Sequence, residues 1–298
     1  MIFQDLQNLP KKYGSEKKEP FSGINLRSNM MLNPLQLKHL NRLDELKAHM
    51  ITLNLEDAIA LSRKKEALEN IALFLSYTKK ANSKIIVRVN PLDEGGIEEI
   101  KFLNDFGFDA IRVAKVKTIY EVEKALKLIK DDKELHISLE TKEAFNSLAS
   151  FGIDSRFTTA NLGILDLLNS LGLSLSIITL DNPTIEYILS KFLVDAKTAN
   201  LLPISFMFQK YNDTATFEAW CKKEKSMGFS SKACMGPKQV DVANKIFMQD
   251  DYELQKAKVV IEEFERMSTK NINGFMHEEY GFIDEPIYKW AKQVLDLS

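Results

Sequence analysis

The sequence predicts an α/β protein built on a (β/α)8 barrel, with a C-terminal extension. Three observations predict it. Eight short apolar runs alternate with segments whose apolar residues recur at helical spacing, the rhythm of a parallel sheet wrapped by helices. No glycine-rich phosphate loop follows the first run, where Asn33-Pro34-Leu35 stands instead; this disfavours the alternative, a doubly wound open sheet. Polar and charged residues collect beside the runs, and barrels place their chemistry at the C-terminal ends of their strands.

In chain order, residues 1–22 read as a polar N-terminal tail broken by Pro10, Gly14 and Pro20. Arg27–Leu32 is the first strand, and Leu35, Leu37, Leu40, Leu43 and Leu46 follow at helical spacing. Met50–Leu55 is the second strand, followed by the amphipathic helix Lys64–Tyr77. Ile85–Val89 and Ala110–Ala114 are the third and fourth strands, followed by helices Ile97–Phe106 and Tyr120–Ile129. The fifth run, Leu135–Leu139, ends at Glu140, and a short helix runs to about Ser150. The sixth, Arg156–Gly163, gives way to a helical stretch that Gly172 breaks. A longer helix covers Thr184–Ala199, with Pro183 at its start. Ile204–Phe208 and Ser230–Met235 complete the eight strands, separated by helix Thr214–Met227 with Gly228 as its cap. Gln239–Phe247 and Tyr252–Met267 read as the last barrel helices, and a polar linker leads to a final helix from about Pro286. The expected organisation is a tail over 1–22, a barrel over 23–268 and a C-terminal arm and helix over 269–298.

The chain has 298 residues, enough for one large domain or two ordinary ones, and its 45% hydrophobic and 28% charged content is ordinary for a globular protein. Its net charge of −2 gives no electrostatic reason to expect nucleic acid or an anionic membrane as a partner. Cys221 and Cys234 have no metal-ligand spacing and suggest no disulfide framework. No apolar stretch approaches the length of a membrane span, and the N-terminus lacks a signal-peptide apolar region, so a cytoplasmic protein is expected.

Two acids stand out. Glu140 ends the fifth run and Asp166 follows the sixth. On neighbouring parallel strands both project from one end of the sheet, and two carboxylates with few other ligands suit a hard cation such as Mg²⁺ that keeps several waters. Each acid also has a plainer reading, as a strand-end group or a helix cap. Arg27, Asn33, Glu56, Asp57, Arg88, Asn90 and Lys115 are expected on the same rim.

These residues carry a family resemblance. Arg27-Ser28 leading to Asn33-Pro34 resembles an Arg-Ser…Val-Pro opening. Asn54-Leu55-Glu56-Asp57-Ala58-Ile59 is similar to Asp-Leu-Glu-Asp-Ala-Val, with Asn54 replacing the first acid. Val87-Arg88-Val89-Asn90-Pro91 is identical to the family's strand motif; Val113-Ala114-Lys115-Val116 resembles Leu-Pro-Lys-Val; and Leu162-Gly163-Ile164-Leu165-Asp166-Leu167 matches Leu-Gly-x-x-Asp-Leu. The pattern is that of the citrate lyase β-subunit-like family, which includes malyl-CoA and citramalyl-CoA lyases. The resemblance implies Mg²⁺-dependent carbon–carbon cleavage of a 3-hydroxyacyl thioester of citryl, citramalyl or malyl type, borne by CoA or an acyl-carrier protein, to an acetyl thioester and a 2-oxo acid. It implies Glu140 and Asp166 as metal ligands, and Arg88, Glu56 and Asp57 as catalytic residues. Arg88, Glu140, Arg27 and Lys115 are implied in substrate binding, with the carrier near Arg27 and Lys38. Gly281-Phe282-Ile283-Asp284-Glu285-Pro286 resembles the family's C-terminal Ile-Asp-x-Pro motif, and implies Asp284 as an acid/base reaching a neighbouring subunit of a homo-oligomer, a trimer being favoured. The departures at Asn54, Leu68 and Gly236 keep open an alternative, a catalytically degenerate barrel that binds a ligand or partner.

Overall fold

The structure is a computed structural model that describes residues 19, 21–23, 25–78 and 81–296. The expected tail over 1–22 lies outside the described residues except at 19, 21 and 22, and the Phe21 amide donates to Asp109 Oδ1 at 3.3 Å. The chain divides into two compact units, Met1–Phe247 and Met248–Ser298.

The first unit is a barrel of eight parallel strands: β1 (Ser28–Leu32), β2 (Met50–Asn54), β3 (Lys84–Val89), β4 (Ala110–Val113), β5 (Glu134–Leu139), β6 (Phe157–Leu162), β7 (Leu202–Ile204) and β8 (Lys232–Cys234). Each pairs with its sequence neighbour, and β1 also pairs with β8. A bridge between Ser205 and Lys232, backed by the Ser205 amide donating to Ser231 O at 3.1 Å, brings β7 to β8 and closes the ring. Around it lie α1 (Leu37–Leu40), α2 (Lys64–Tyr77), α3 (Ile97–Leu103), α4 (Ile119–Leu128), α5 (Lys142–Ser147), α6 (Ile164–Leu171), α7 (Pro183–Thr198), α8 (Thr214–Met227) and α9 (Pro237–Ile246).

Strand residues alternate between two environments. Ile51, Leu53, Ile85, Val87, Ile111, Leu135 and Ile137 point outward and are fully buried beneath helix residues such as Ile71, Phe74, Val122 and Phe192. Burying one such side chain contributes about 1.5–3 kcal/mol. Inside the barrel, Met50, Ile86, Ala110 and Ile204 form a small apolar plug. The layers nearer the C-terminal ends are polar: Asn29, Thr52, Asn54, Arg88, Arg112, His136, Ser138 and Asn161 are all buried. Barrel interiors are usually filled by branched apolar residues, so this polar filling marks the end where chemistry is placed.

Several expectations shift. The leucines at 35–46 do not form one helix: α1 ends at Leu40, the chain turns at Asn41–Arg42, and a single 3₁₀ turn covers Leu43–Glu45. Their spacing serves packing, with Leu40 and Leu43 fully buried. The seventh strand lies at Leu202–Ile204 instead of Ile204–Phe208, because Phe206 and Phe208 are recruited by α8, Phe206 meeting Trp220 edge-on at 5.1 Å and Phe208 meeting Phe217 at a tilt at 6.3 Å.

The second unit begins before the expected boundary at 268. Within it, α10 (Asp251–Ser268) packs on α11 (Glu285–Asp296) around Ala257, Val260, Phe264, Ile283, Ala291 and Val294, so α10 belongs with the C-terminal segment. Between these helices, β9 (Gly274–His277) and β10 (Gly281–Asp284) form an antiparallel hairpin where a linker was expected. Gly281 closes its turn at φ +74°, a conformation that favours glycine. Among the described residues no helix is long and apolar enough to cross a membrane.

Candidate active site

The C-terminal ends of β2 to β6 deliver their polar residues to one place. Glu140 immediately follows β5 and is 5% exposed. Its position is fixed from both sides. Thr141 caps α5, accepting from the Ala144 amide at 3.2 Å and donating to Val116 O at 2.9 Å. Opposite, Gly163 leaves the space that Glu140 fills: a Cβ there would lie 2.2 Å from Glu140 Cγ. Asp166 sits in the first turn of α6, where the helix dipole favours a carboxylate. Glu140, Asp166, Arg88, Asp57, Arg112 and Asn161 line one cavity of about 310 Å³.

Basic groups knit the acids together. Arg88 Nη2 lies 2.9 Å from Glu56 Oε2 and Nη1 3.6 Å from Glu140 Oε1, while Nε donates to Asn54 Oδ1 at 2.6 Å. Asn54 Oδ1 also accepts from the Glu56 amide at 3.1 Å, so the residue standing where the family motif has an acid positions both partners of the Arg88–Glu56 pair. Lys115 adopts φ 51°, a turn that aims its amide at Glu140 Oε2 at 3.1 Å and its Nζ at Glu56 Oε1 at 2.8 Å and Asp57 Oδ1 at 3.0 Å. Behind this rim, Asn90 donates to Glu99 Oε1 at 2.5 Å and accepts from Lys64.

The electrostatics follow from burial and partners. Burial pushes the Glu140 carboxyl up to about 7; Arg88 opposes this, and Glu56 and Asp166 add to it. Burial alone would lower Lys115, but its bonds to Glu56 and Asp57 carry it above the usual lysine value, which holds it as an ion-pair partner. Asp57 would likewise rise with burial, yet Glu56 and Lys115 hold it below the ordinary value. Burial brings Arg112 down to about 9, with the Arg88 charge contributing.

The structure thus brings together Glu56, Asp57, Arg88, Lys115, Glu140 and Asp166. It does not bring Arg27 to them. Arg27 precedes the first residue of β1, and its carbonyl accepts from the amide of Lys232, the first residue of β8. It therefore lies at the N-terminal ends of the strands, the end away from the rim, because the chain runs from Arg27 into the strand and only then to the rim. Lys38 lines a second cavity of about 820 Å³ with Asn33, His39, Arg42 and Tyr211, and Met31 lines both cavities. Asp284 ends β10 in the second unit, where its Oδ1 accepts from the Ile287 amide at 3.3 Å and caps α11. Two residues were missed from sequence, Arg112 and Asn161. The signal was present at Ala110-Ile111-Arg112-Val113, a lone arginine inside an apolar strand.

The donor set fits a hard divalent cation. Among the described residues no three His, Cys, Asp or Glu side chains cluster as ligands; of the four acids on this rim, Glu56 and Asp57 are paired with Arg88 and Lys115, which leaves Glu140 and Asp166 as the candidate pair. Mg²⁺ binds through one or two carboxylates plus waters or substrate oxygens. Burial is the main cause that raises Glu140, with repulsion from Glu56 and Asp166 adding to it, and a cation between Glu140 and Asp166 would offset both.

Residues 28–237 match the family model described as HpcH/HpaI aldolase/citrate lyase. The chain is 26% identical over 262 residues to the citrate lyase subunit beta of Leuconostoc mesenteroides subsp. cremoris, across 84% of this chain and 86% of that protein. It is 27% identical over 227 residues to a (3S)-malyl-CoA thioesterase of Cereibacter sphaeroides, across 76% and 78%. Among solved structures, a citrate lyase from Burkholderia xenovorans LB400 matches with a TM-score of 0.78 at 14% identity over 90% of each chain. The CitE protein of Mycobacterium tuberculosis, solved with magnesium, acetoacetate and coenzyme A, matches with a TM-score of 0.68 at 18% identity over 91% of this chain and 97% of that one. At these identities the structural likeness speaks for the fold.

Proposed function

Because the chain belongs to the HpcH/HpaI aldolase/citrate lyase family, we propose that it is a Mg²⁺-dependent carbon–carbon lyase acting on a 3-hydroxyacyl thioester of citryl, citramalyl or malyl type. The observation that carries the reading is the convergence of Glu140, Asp166 and Arg88 on one cavity at the C-terminal ends of the strands.

In this reaction the 3-hydroxyl loses its proton, the bond between C2 and C3 breaks, and its electron pair passes to the acetyl thioester as an enolate. The enolate carbon then takes up a proton, and a 2-oxo acid departs. Glu140 and Asp166 would hold the Mg²⁺. When bound, the ion supplies a Lewis acid that lowers the pKa of the substrate hydroxyl. Arg88 presents its guanidinium to the substrate carboxylate or to the developing enolate oxygen. Glu56 and Lys115 keep Arg88 and Glu140 in place through the bonds described above, and Asp57 steadies Lys115. The thioester carrier, CoA or a carrier protein, enters by the adjoining cavity, where Lys38 supplies positive charge. Asp284 of a neighbouring copy serves as the proton carrier in a homo-oligomer; a monomeric mass at working concentration contradicts that part.

The test is cleavage of malyl-, citramalyl- and citryl-CoA by the purified chain, with Mg²⁺ and with a chelator. Chelator-sensitive release of acetyl-CoA from at least one is expected. Mg²⁺ binding without turnover points to a carrier-protein thioester. Absence of both turnover and Mg²⁺ binding overturns the reading, and favours a barrel that binds without catalysis.

A further inference from the structure

The polar interior of the barrel holds one charged group that the proposed reaction does not use. Arg112 lies on β4 beside Arg88 of β3, the two being register partners, and both face the cavity that contains Glu140 and Asp166. Arg112 is 3% exposed. Its Nη1 donates to Asn161 Oδ1 at 2.9 Å, and its Nε is buried without a partner among the described residues. No carboxylate lies within ion-pair distance of it among the described residues, whereas Arg88 has two acids beside it.

Glu140 and Glu56 favour its charge only from beyond that distance, and a buried guanidinium with no carboxylate in contact is costly, so that retaining one calls for a compensating anion or hydrogen bonds. Burial depresses its pKa to about 9, which leaves it cationic near neutral pH. The side chain is held from below. Asn161 Oδ1 also accepts from Asn29 Nδ2 at 3.1 Å, and Asn29 Oδ1 accepts from Thr52 Oγ1 at 2.8 Å. This chain of neutral groups orients the fork without neutralising it. His136, the register partner of Arg112 on β5, is held below the usual histidine pKa by burial, and so adds no charge of its own at neutral pH.

We propose that Arg112 is a specificity-determining residue that receives a second carboxylate of the substrate, on the portion that leaves as the 2-oxo acid. The inference rests on the lyase reading of this cavity and narrows it. Arg88 and the two acids serve the hydroxyl and the carboxylate common to all three substrate types. Arg112 then selects the type whose leaving 2-oxo acid is a dicarboxylate over those whose leaving acid carries hydrogen or methyl in that place. Arginine suits the task, since its planar fork binds carboxylate in a bidentate manner.

Racemic malate and lactate separate this cleanly. Both are stable 2-hydroxy acids, and they differ by the second carboxylate alone. Calorimetric titration of each into the full chain with saturating Mg²⁺ is expected to show malate binding at least tenfold tighter than lactate. In Arg112→Met, malate affinity falls tenfold or more while lactate affinity stays within twofold. Equal affinities for malate and lactate in the unaltered chain, or an equal loss of both in the variant, overturn the assignment of Arg112 and leave the lyase reading standing. Binding of neither acid to the unaltered chain counts against both. Should Arg112→Met fail to fold by circular dichroism, the malate-to-lactate ratio of the unaltered chain decides the matter.

Discussion

Gly163→Ala is the smallest change that tests the geometry of the acid pair. The backbone at Gly163 has φ −91°, which any residue adopts, so the effect is steric and free of backbone strain. The added Cβ would lie 2.2 Å from Glu140 Cγ, 3.0 Å from Cδ and 2.8 Å from Oε1. Optimal carbon–carbon contact is about 3.5–4.0 Å, so Glu140 or β6 must move by more than about 1 Å. Glu140 is 5% exposed and has little room to retreat. Moving it breaks the 3.1 Å bond from the Lys115 amide, and bonds to charged groups contribute about 1.5–3 kcal/mol. Overpacking costs about 1–3 kcal/mol, so a total loss of about 2.5–6 kcal/mol is expected in urea unfolding. Displacement of about 1 Å at a reacting centre costs on the order of 100-fold in rate. The assay is steady-state cleavage at saturating Mg²⁺, beside a Mg²⁺ titration. Unchanged turnover and unchanged Mg²⁺ affinity in a folded Gly163→Ala protein would refute the placement of Glu140 in the site.

Three further outcomes are expected. Lys232 and Glu224 are fully buried 2.7 Å apart behind the β7–β8 seam, where Ser205 also donates to Glu224 at 2.6 Å. Lys232→Met leaves Glu224 unpaired and is expected to cost about 3–5 kcal/mol in chemical denaturation, while Lys232→Met with Glu224→Met restores most of the loss; equal stability of the single variant and the unaltered chain contradicts this. Burial alone would raise Glu134, but His136 and Lys84 hold it at about 2, against an ordinary 4.5. Its stabilisation is therefore complete above about 4.5 and is lost as pH falls through about 2; Glu134→Gln should flatten that acid limb in melts from pH 5 to pH 2, and an unaltered slope argues against the pair. Metal-free Glu140 titrates near 7, so Mg²⁺ affinity should rise as pH increases through that value and proton release should accompany binding; a pH-independent affinity between 6 and 8 speaks against Glu140 as a ligand.

The eight strands were legible because parallel strands buried on both faces read as continuous apolar runs, and the acids that end them stood out against that background. Glu56, Arg88, Lys115 and Glu140 meet because each follows or ends its strand, and a parallel barrel sends all such residues to one rim. Arg27 was grouped with them as a polar residue at the end of the first strand, although chain direction alone places a residue that precedes β1 at the opposite end. The seventh strand was misplaced because Phe206 and Phe208 satisfy helix packing and strand pattern equally well from sequence. The hairpin at Gly274–Asp284 escaped notice because each of its strands has four residues, too few to mark a strand pattern in the sequence. Arg112 escaped because inward and outward faces of a four-residue strand are not distinguishable until its neighbours are placed.

The central claim is that Glu140 and Asp166 together hold the divalent ion. Mn²⁺ binding followed by electron paramagnetic resonance, with Mg²⁺ as competitor, reads this without turnover. One Mg²⁺-displaceable site per chain is expected in the unaltered protein, and a loss of at least tenfold in affinity in both Glu140→Gln and Asp166→Asn, with each variant still folded. Retention of full affinity in either variant would contradict it.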